Sequence, residues 1–202
     1  MTMLFLLQMV PGKMGNQLHE AMGVGFVLLF GLHHMLNRGW LKRLDRRRDL
    51  CGRLTLASDV MLTICVVGMA VTGMLMSRSL VPMLAVPSVV HLVRPLHGAL
   101  AYAGLMTCAF HVGLHMRVVR GYAGLRGVGK RLMDTGLLLP AVLCALGMWA
   151  FNRLGVATKL TLQPSFPDGM TPLIVQLGLH VALCAPFALA GSLAAHFNGK
   201  KQ

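Results

Sequence analysis

Charged residues are scarce in this chain. Asp, Glu, Lys and Arg make up 12% of its 202 residues, whereas they make up about 25% of a typical soluble domain. Hydrophobic residues account for 55%, and the mean hydropathy is +0.67. Since so apolar a surface is stable in hydrocarbon and not in water, this composition excludes an ordinary soluble domain and predicts an all-α integral membrane protein.

Motifs for several redox cofactors are also missing. There is no C-x-x-C-H sequence, which excludes covalent attachment of a c-type haem, and none of the five cysteines has the spacing of a metal knuckle. No flavin, nucleotide or iron–sulphur motif is present. The chain is therefore not expected to carry out a whole redox reaction by itself.

Five apolar stretches are long enough to cross a bilayer, whose core about 30 Å thick needs roughly 20 helical residues. We name them segments A to E. The connections are too short for a soluble domain, so residues 1–202 are predicted to form one transmembrane helical domain. The N-terminus lacks a basic region before its short apolar run, and no cleavable signal peptide is expected. Segments A to E span residues 17–37, 54–77, 90–118, 132–151 and 171–196.

Acidic residues number only six against 19 Lys and Arg, which gives a formal net charge of +13. The basic residues are concentrated in the A–B and C–D connections, which the positive-inside rule places in the cytoplasm. We therefore predict a multi-pass protein of a prokaryotic inner (cytoplasmic) membrane, with its N-terminus outside and its C-terminus cytoplasmic. Anionic lipid headgroups are the expected partners of the basic connections, and nucleic acid is not. The basic residues are Arg38, Lys42, Arg43, Arg46, Arg47, Arg48 and Arg53, followed by Arg117, Arg120, Arg126, Lys130 and Arg131.

Histidines recur inside these apolar segments, where an ionisable residue indicates function. In segment A, His33 follows His19 after four helical turns, and in segment C, His111 follows His97 at the identical interval. The two pairs therefore align with each other without a gap.

This spacing predicts tandem two-helix repeats at about residues 1–53, 54–131 and 132–202. The first unit is incomplete, since Met1–Val10 matches only the end of a helix. Trimming of an upstream helix and a start codon assigned too late both remain open explanations.

The interval between the two histidines of a segment places both of them on one helix face, about 21 Å apart along the axis. Segments A and C run in the same direction, so His19 is expected to face His97 near the outer surface. His33 would then face His111 near the inner surface. Facing imidazoles suit the two axial positions of haem iron. The sequence therefore predicts two b-type haems between segments A and C.

Neighbouring residues extend this prediction. Gly104, on the ligand face of segment C, leaves room for a macrocycle, although small residues also serve helix packing. Arg94 at the outer mouth of segment C offers a cation for haem propionates. His34 is an alternative to His33, and His180 an alternative contact for the outer haem or a quinone. Glu20, beside His19, is expected to be an interfacial carboxylate, with orientation of the outer ligand or proton acceptance as alternatives.

The stretch "DVMLTICVVGMAVTG", followed by a helix of the form H…G…H-x-x-LH, resembles the small membrane proteins grouped as domain of unknown function 4405. Trp40 matches the tryptophan of that pattern, whereas residues 117–120 depart from it. More broadly, the chain is similar to di-haem four-helix cytochrome b subunits. The resemblance implies axial ligation by His19, His33, His97 and His111. It also implies electron transfer between quinone or quinol and a partner redox protein or dehydrogenase subunit.

These observations favour a b-type cytochrome holding two haem b groups, which acts as the electron-transfer subunit of an oxidoreductase complex. One alternative is a haem-free membrane anchor or assembly subunit, in which the histidines pack and form hydrogen bonds. Another is a metal or proton pathway lined by histidines. That class usually places carboxylates at mid-membrane depth, whereas the acids here lie near the segment edges.

Overall fold

A computed structural model describes residues 1–39, 50–116, 138–163 and 170–198. Within these ranges the secondary structure is helical, which confirms the all-α prediction. Short 3₁₀ turns at Pro82–Leu84 and Pro87–Val89 lead into the fifth helix. The helices are α1 (Thr2–Gln8), α2 (Pro11–Met14), α3 (Asn16–Leu36), α4 (Leu50–Met76), α5 (Val90–Leu114), α6 (Leu138–Arg153), α7 (Val156–Leu160) and α8 (Leu173–Asn198).

The five predicted segments correspond to α3, α4, α5, α6 and α8, with ends that agree to within a few residues where both are described. Helix α1 lies within Met1–Val10, the stretch that matches the end of a helix in sequence, whereas α2 and α7 were not predicted. Trp40 and most of the basic residues of the two connections lie outside the described residues.

Two helices in the described part of the chain are long and apolar enough to cross a membrane, namely α4 and residues Leu173–His196 of α8. Only 17% of the most apolar window of each is buried, unlike the core helix of a soluble protein. Helix α6 is apolar but shorter. The length and composition criteria thus support two of the five predicted spans. Polar residues, the histidines among them, lower the mean hydropathy of α3 and α5.

Helix α5 is the centre of the bundle, with α4 and α8 packed against it and α6 packed against α8. The α5–α8 crossing depends on glycine. A Cβ added at Gly113 would lie 2.2 Å from the carbonyl oxygen of Ala188, and one added at Gly191 would lie 2.2 Å from that of Phe110. The two backbones are therefore in direct contact, as is common where small residues line membrane helix pairs.

Helix α1 reaches the core because its Phe5 side chain is buried. The Phe5 ring lies 5.1 Å from the ring of Phe26 on α3, centroid to centroid. On its other side, Phe5 Cζ lies 3.1 Å from the position that a Cβ on Gly104 of α5 would take. The N-terminal helix thus brings an aromatic side chain between α3 and α5.

Candidate functional site

The structure brings His19 of α3 and His97 of α5 together. Their ring centroids are 6.4 Å apart, and the ring planes are inclined by 74°. Two imidazoles bound to opposite sides of one metal, at about 2.0–2.1 Å per bond, have centroids about 6.3 Å apart. The observed separation therefore equals that of an axial ligand pair, and it arises between residues that are far apart in sequence.

A hydroxyl group on α4 fixes the tautomer of His97. The Thr72 hydroxyl donates to the carbonyl oxygen of Gly68 at 2.7 Å, and its oxygen lies 2.9 Å from His97 Nδ1. Because a hydroxyl has one hydrogen and the carbonyl can only accept, His97 Nδ1–H donates to Thr72. The lone pair of His97 is therefore on Nε2, the state in which a histidine binds metal while its other nitrogen is held by a neighbour.

His111, near the C-terminal end of α5, is held in the same way. The Ser58 hydroxyl donates to the Thr55 carbonyl oxygen at 2.7 Å, and its oxygen lies 3.0 Å from His111 Nδ1. The Asp59 carboxylate is also close to this nitrogen, at 3.2 Å. His111 thus donates from Nδ1 and carries its lone pair on Nε2. A carboxylate near the second nitrogen is a common feature of metal-binding histidines.

The α4 residues that contact the histidines of α5 are separated by the same interval as those histidines. Thr72 follows Ser58 at the same interval that separates His111 from His97. Gly73 also belongs here, since a Cβ on it would lie 3.6 Å from His97 Cε1. The α4 residues that lie against the two histidines of α5 are therefore at the two ends of "DVMLTICVVGMAVTG": Asp59 with the preceding Ser58, and Thr72 with Gly73. Sequence reasoning missed these roles, although the shared interval was visible.

His19 is placed differently. Its Nδ1 atom is buried and, among the described residues, has no hydrogen-bond partner. The Gln8 Oε1 atom is likewise buried without a partner. Gln8 lies close by, because its Nε2 atom is 3.3 Å from the position of a Cβ on Gly23, one turn after His19. The ring of His19 is thus positioned by its helix and not by a bond at Nδ1.

Glu20, the neighbour of His19, accepts hydrogen bonds from the residues that follow α4. Oε2 accepts the Ser77 hydroxyl at 2.8 Å and the Leu80 amide at 2.9 Å, and Oε1 accepts the Arg78 amide at 3.0 Å. The Ser79 amide donates at 3.2 Å. The carboxylate therefore ties the first turns of α3 to the C-terminal end of α4.

Near the C-terminal ends of α3 and α5 the structure brings several histidines near one another. His33 and His34 both lie within electrostatic range of His111, whose ring centroid lies 4.7 Å from that of His115 with the planes inclined by 51°. His33 is exposed, whereas His34 is half-buried with its ring 4.3 Å from that of Phe30. Both remain candidate partners of His111. Arg94 is exposed, near the start of the helix turn that carries His97, and its role toward propionates stays a prediction.

The space beside Gly104 is occupied by this chain itself. Gly104 lies midway between the two histidines of α5, and Phe26 lies midway between His19 and His33. The Phe5 ring contacts both Phe26 and Gly104. The small residue at 104 thus admits an aromatic ring in this structure, and it does so between the two histidine levels.

His180 is a buried histidine whose nitrogens are both engaged. Nδ1–H donates to the Gln176 carbonyl oxygen at 2.7 Å, so Nε2 accepts the Tyr102 hydroxyl at 3.2 Å. Lys159 of α7 lies with its ammonium 5.1 Å from the Tyr102 ring centroid, and burial lowers the pKa of Lys159. His180 therefore has the hydrogen bonds of a core residue.

No family model, no curated protein and no solved structure matches this chain. In the ranges that the structure describes, no group of three or more His, Cys, Asp or Glu side chains could hold a metal ion. A haem iron requires only two protein ligands, since the porphyrin supplies four nitrogens.

Proposed function

We propose that this chain is an integral membrane b-type cytochrome that binds two haem b groups by pairs of histidines. It would transfer electrons across the membrane between quinone or quinol and a partner redox protein, as a subunit of an oxidoreductase complex. The observation that carries the proposal is the 6.4 Å separation of the His19 and His97 rings.

The donor set fits such a group. His97 and His111 both carry the lone pair on Nε2, because α4 accepts their Nδ1 hydrogens. His19 is the candidate second ligand of the outer haem. For the inner haem, His33 is the partner expected from spacing, and His34 is the half-buried alternative.

Haem iron supplies one-electron redox chemistry when it is bound. The residues of this chain would bind and orient it and exclude water. Thr72 and Ser58 hold a proton at Nδ1 of each α5 histidine, which raises the basicity of the ligating nitrogen. Phe5 and Phe26 close the space midway between the two histidine levels.

In this proposal α3, α5 and α6 cross the membrane together with α4 and α8. The protein would lie in the inner membrane of a prokaryote, with its basic connections against anionic lipid on the cytoplasmic side. The intramembrane histidines of α3 and α5 would then be buried against each other and against bound haem, as polar groups in a bilayer require.

One observation favours a second candidate function, a haem-free membrane anchor or assembly subunit. Phe5 fills the space beside Gly104 that the sequence suggested for a macrocycle. In that case the histidines would form the hydrogen bonds described above without binding metal. A histidine-lined metal or proton pathway is less well supported, since Glu20 lies near the start of α3 and Asp59 in the N-terminal part of α4, and neither is at mid-helix.

A visible spectrum of the purified protein, dithionite-reduced minus oxidised, separates these functions. The cytochrome predicts an α-band with about two haems per chain, and His111→Ala should remove one of them. His91→Ala is the matched control, because His91 is an exposed histidine on the same helix and should leave both haems in place. A colourless protein from cells that supply haem would contradict the proposal.

A further inference from the structure

We propose that Glu20 is a positioning residue that sets His19 opposite His97 by clamping α3 to the outer end of α4. The inference rests on the proposed function, since it concerns the outer haem ligand pair. It assigns a specific structural role to a carboxylate that would otherwise be an interfacial charge.

The first step is the number and kind of bonds that Glu20 accepts. Three consecutive backbone amides and one hydroxyl point at a single carboxylate. Hydrogen bonds to an ionised acceptor are roughly twice as strong as neutral ones, and several together fix the orientation of the group. The donors are Ser77 Oγ, the amides of Arg78, Ser79 and Leu80, and the side-chain amide of Asn16, which is the nearest at 2.6 Å.

The second step is that α4 serves as a common frame for both ligands. Thr72 in its last turns holds His97 Nδ1, and the residues directly after α4 hold Glu20. Glu20 is adjacent to His19 in sequence, so the clamp acts on the helix turn that carries the ligand. Any shift of α3 relative to this frame therefore changes the distance between the His19 and His97 rings.

The third step is that no hydrogen bond at Nδ1 positions the His19 ring within the described residues. Its Nδ1 atom has no partner in the described structure, whereas Nδ1 of His97 and of His111 each has one on α4. The position of the His19 ring is therefore set by the helix turn that carries it. Glu20 is the side chain that fixes that turn.

The test uses the full-length protein in a His111→Ala background, which removes the inner haem and leaves the outer one to be observed alone. Glu20→Gln removes the charge, and Glu20→Asp keeps the charge but shortens the reach. The readouts are haem affinity and the low-spin signature of bis-histidine iron in the electron paramagnetic resonance spectrum.

If Glu20 positions His19, both variants should weaken outer haem binding by roughly 10–100-fold, the usual effect of removing a group that orients a metal ligand. The remaining haem should show a high-spin signal. Gln17→Ala in the same background is the control, because Gln17 is an exposed residue on the same helix turn of α3 and should leave the outer signal unchanged.

Retention of wild-type affinity and a low-spin signal in Glu20→Asp and Glu20→Gln would overturn the inference. A Glu20→Asp variant that behaves as wild type beside a weakened Glu20→Gln would also overturn it, since charge alone would then explain the effect. Folding is checked with the same Glu20 changes in the otherwise unaltered chain, where the inner haem should remain. Absence of haem from the unaltered chain would instead refute the proposed function.

Discussion

Replacement of Thr72 by valine tests whether the Thr72 hydroxyl orients His97 for the proposed haem binding. Valine keeps the branched shape of threonine but lacks the oxygen that accepts the His97 Nδ1 hydrogen at 2.9 Å. The imidazole then loses the bond that fixes its tautomer and its rotation. The Thr72 hydroxyl also donates to Gly68, but within its own helix, so its loss leaves that carbonyl with its backbone bond.

The contact is partly buried and the Met69 carbonyl is also near His97, so the cost of a fully buried donor without an acceptor is an upper limit for the expected size. A buried donor left without an acceptor costs about 1–3 kcal/mol. Loss of a group that orients a metal-binding histidine lowers affinity by roughly 10–100-fold, which is about 1.4–2.8 kcal/mol. The two estimates agree, so we expect the outer haem to bind roughly 10–100-fold more weakly in Thr72→Val.

The assay is haem titration of the purified apoprotein, followed by potentiometric titration of the two haems. Thr72→Ser restores the hydroxyl and should restore affinity, while Ser58→Ala should weaken the inner haem and leave the outer one unchanged. If Thr72→Val binds both haems with wild-type affinity and potential, the hydroxyl does not orient His97 and the reasoning is refuted.

Three further predictions concern the bundle. Gly191→Ala should lower the melting temperature in detergent, because the new Cβ would lie 2.2 Å from the Phe110 carbonyl oxygen; Gly178→Ala on the same helix meets nothing within 4 Å and should not. Phe5→Ala should destabilise the protein by up to about 3–5 kcal/mol in chemical unfolding, whereas Met3→Ala, at a side chain 76% exposed, should change little. Tyr102→Phe should cost about 1–3 kcal/mol, since it leaves buried His180 Nε2 without a donor, yet keep two haems per chain. The first prediction would be contradicted by equal melting temperatures for the two glycine variants. The second would be contradicted by equal stability of the Phe5 and Met3 variants, and the third by loss of haem from Tyr102→Phe.

The long helices could be predicted because each follows from its own composition. An apolar run long enough to cross a bilayer is a local property of the sequence. The ends of α3, α4, α5 and α8 accordingly lie within a few residues of the predicted limits. Helix α1 is short, and its helical state depends on burial of Phe5 against α3 and α5. Such a contact between distant parts of the chain leaves no periodic signal.

One histidine pair of the candidate site was predictable in the same way. Equal spacing on two helices predicted that His19 and His97 face each other, and the structure places their rings 6.4 Å apart. The partners of Glu20 could not be predicted, because most are backbone amides, which every residue except proline carries, and they lie far away along the chain. Gly104 was interpreted as a position that leaves room for a macrocycle, whereas the group that approaches it in the structure is the Phe5 side chain from another helix.

The central claim is that His19 and His97 bind opposite sides of one iron. The most direct test counts haem per polypeptide in the unaltered chain, in His19→Ala, in His97→Ala and in the variant that carries both changes. If the two residues share one iron, each single variant and the double variant should retain the same one haem of the original two. Loss of both haems from the double variant, or no haem in the unaltered chain, would contradict the account.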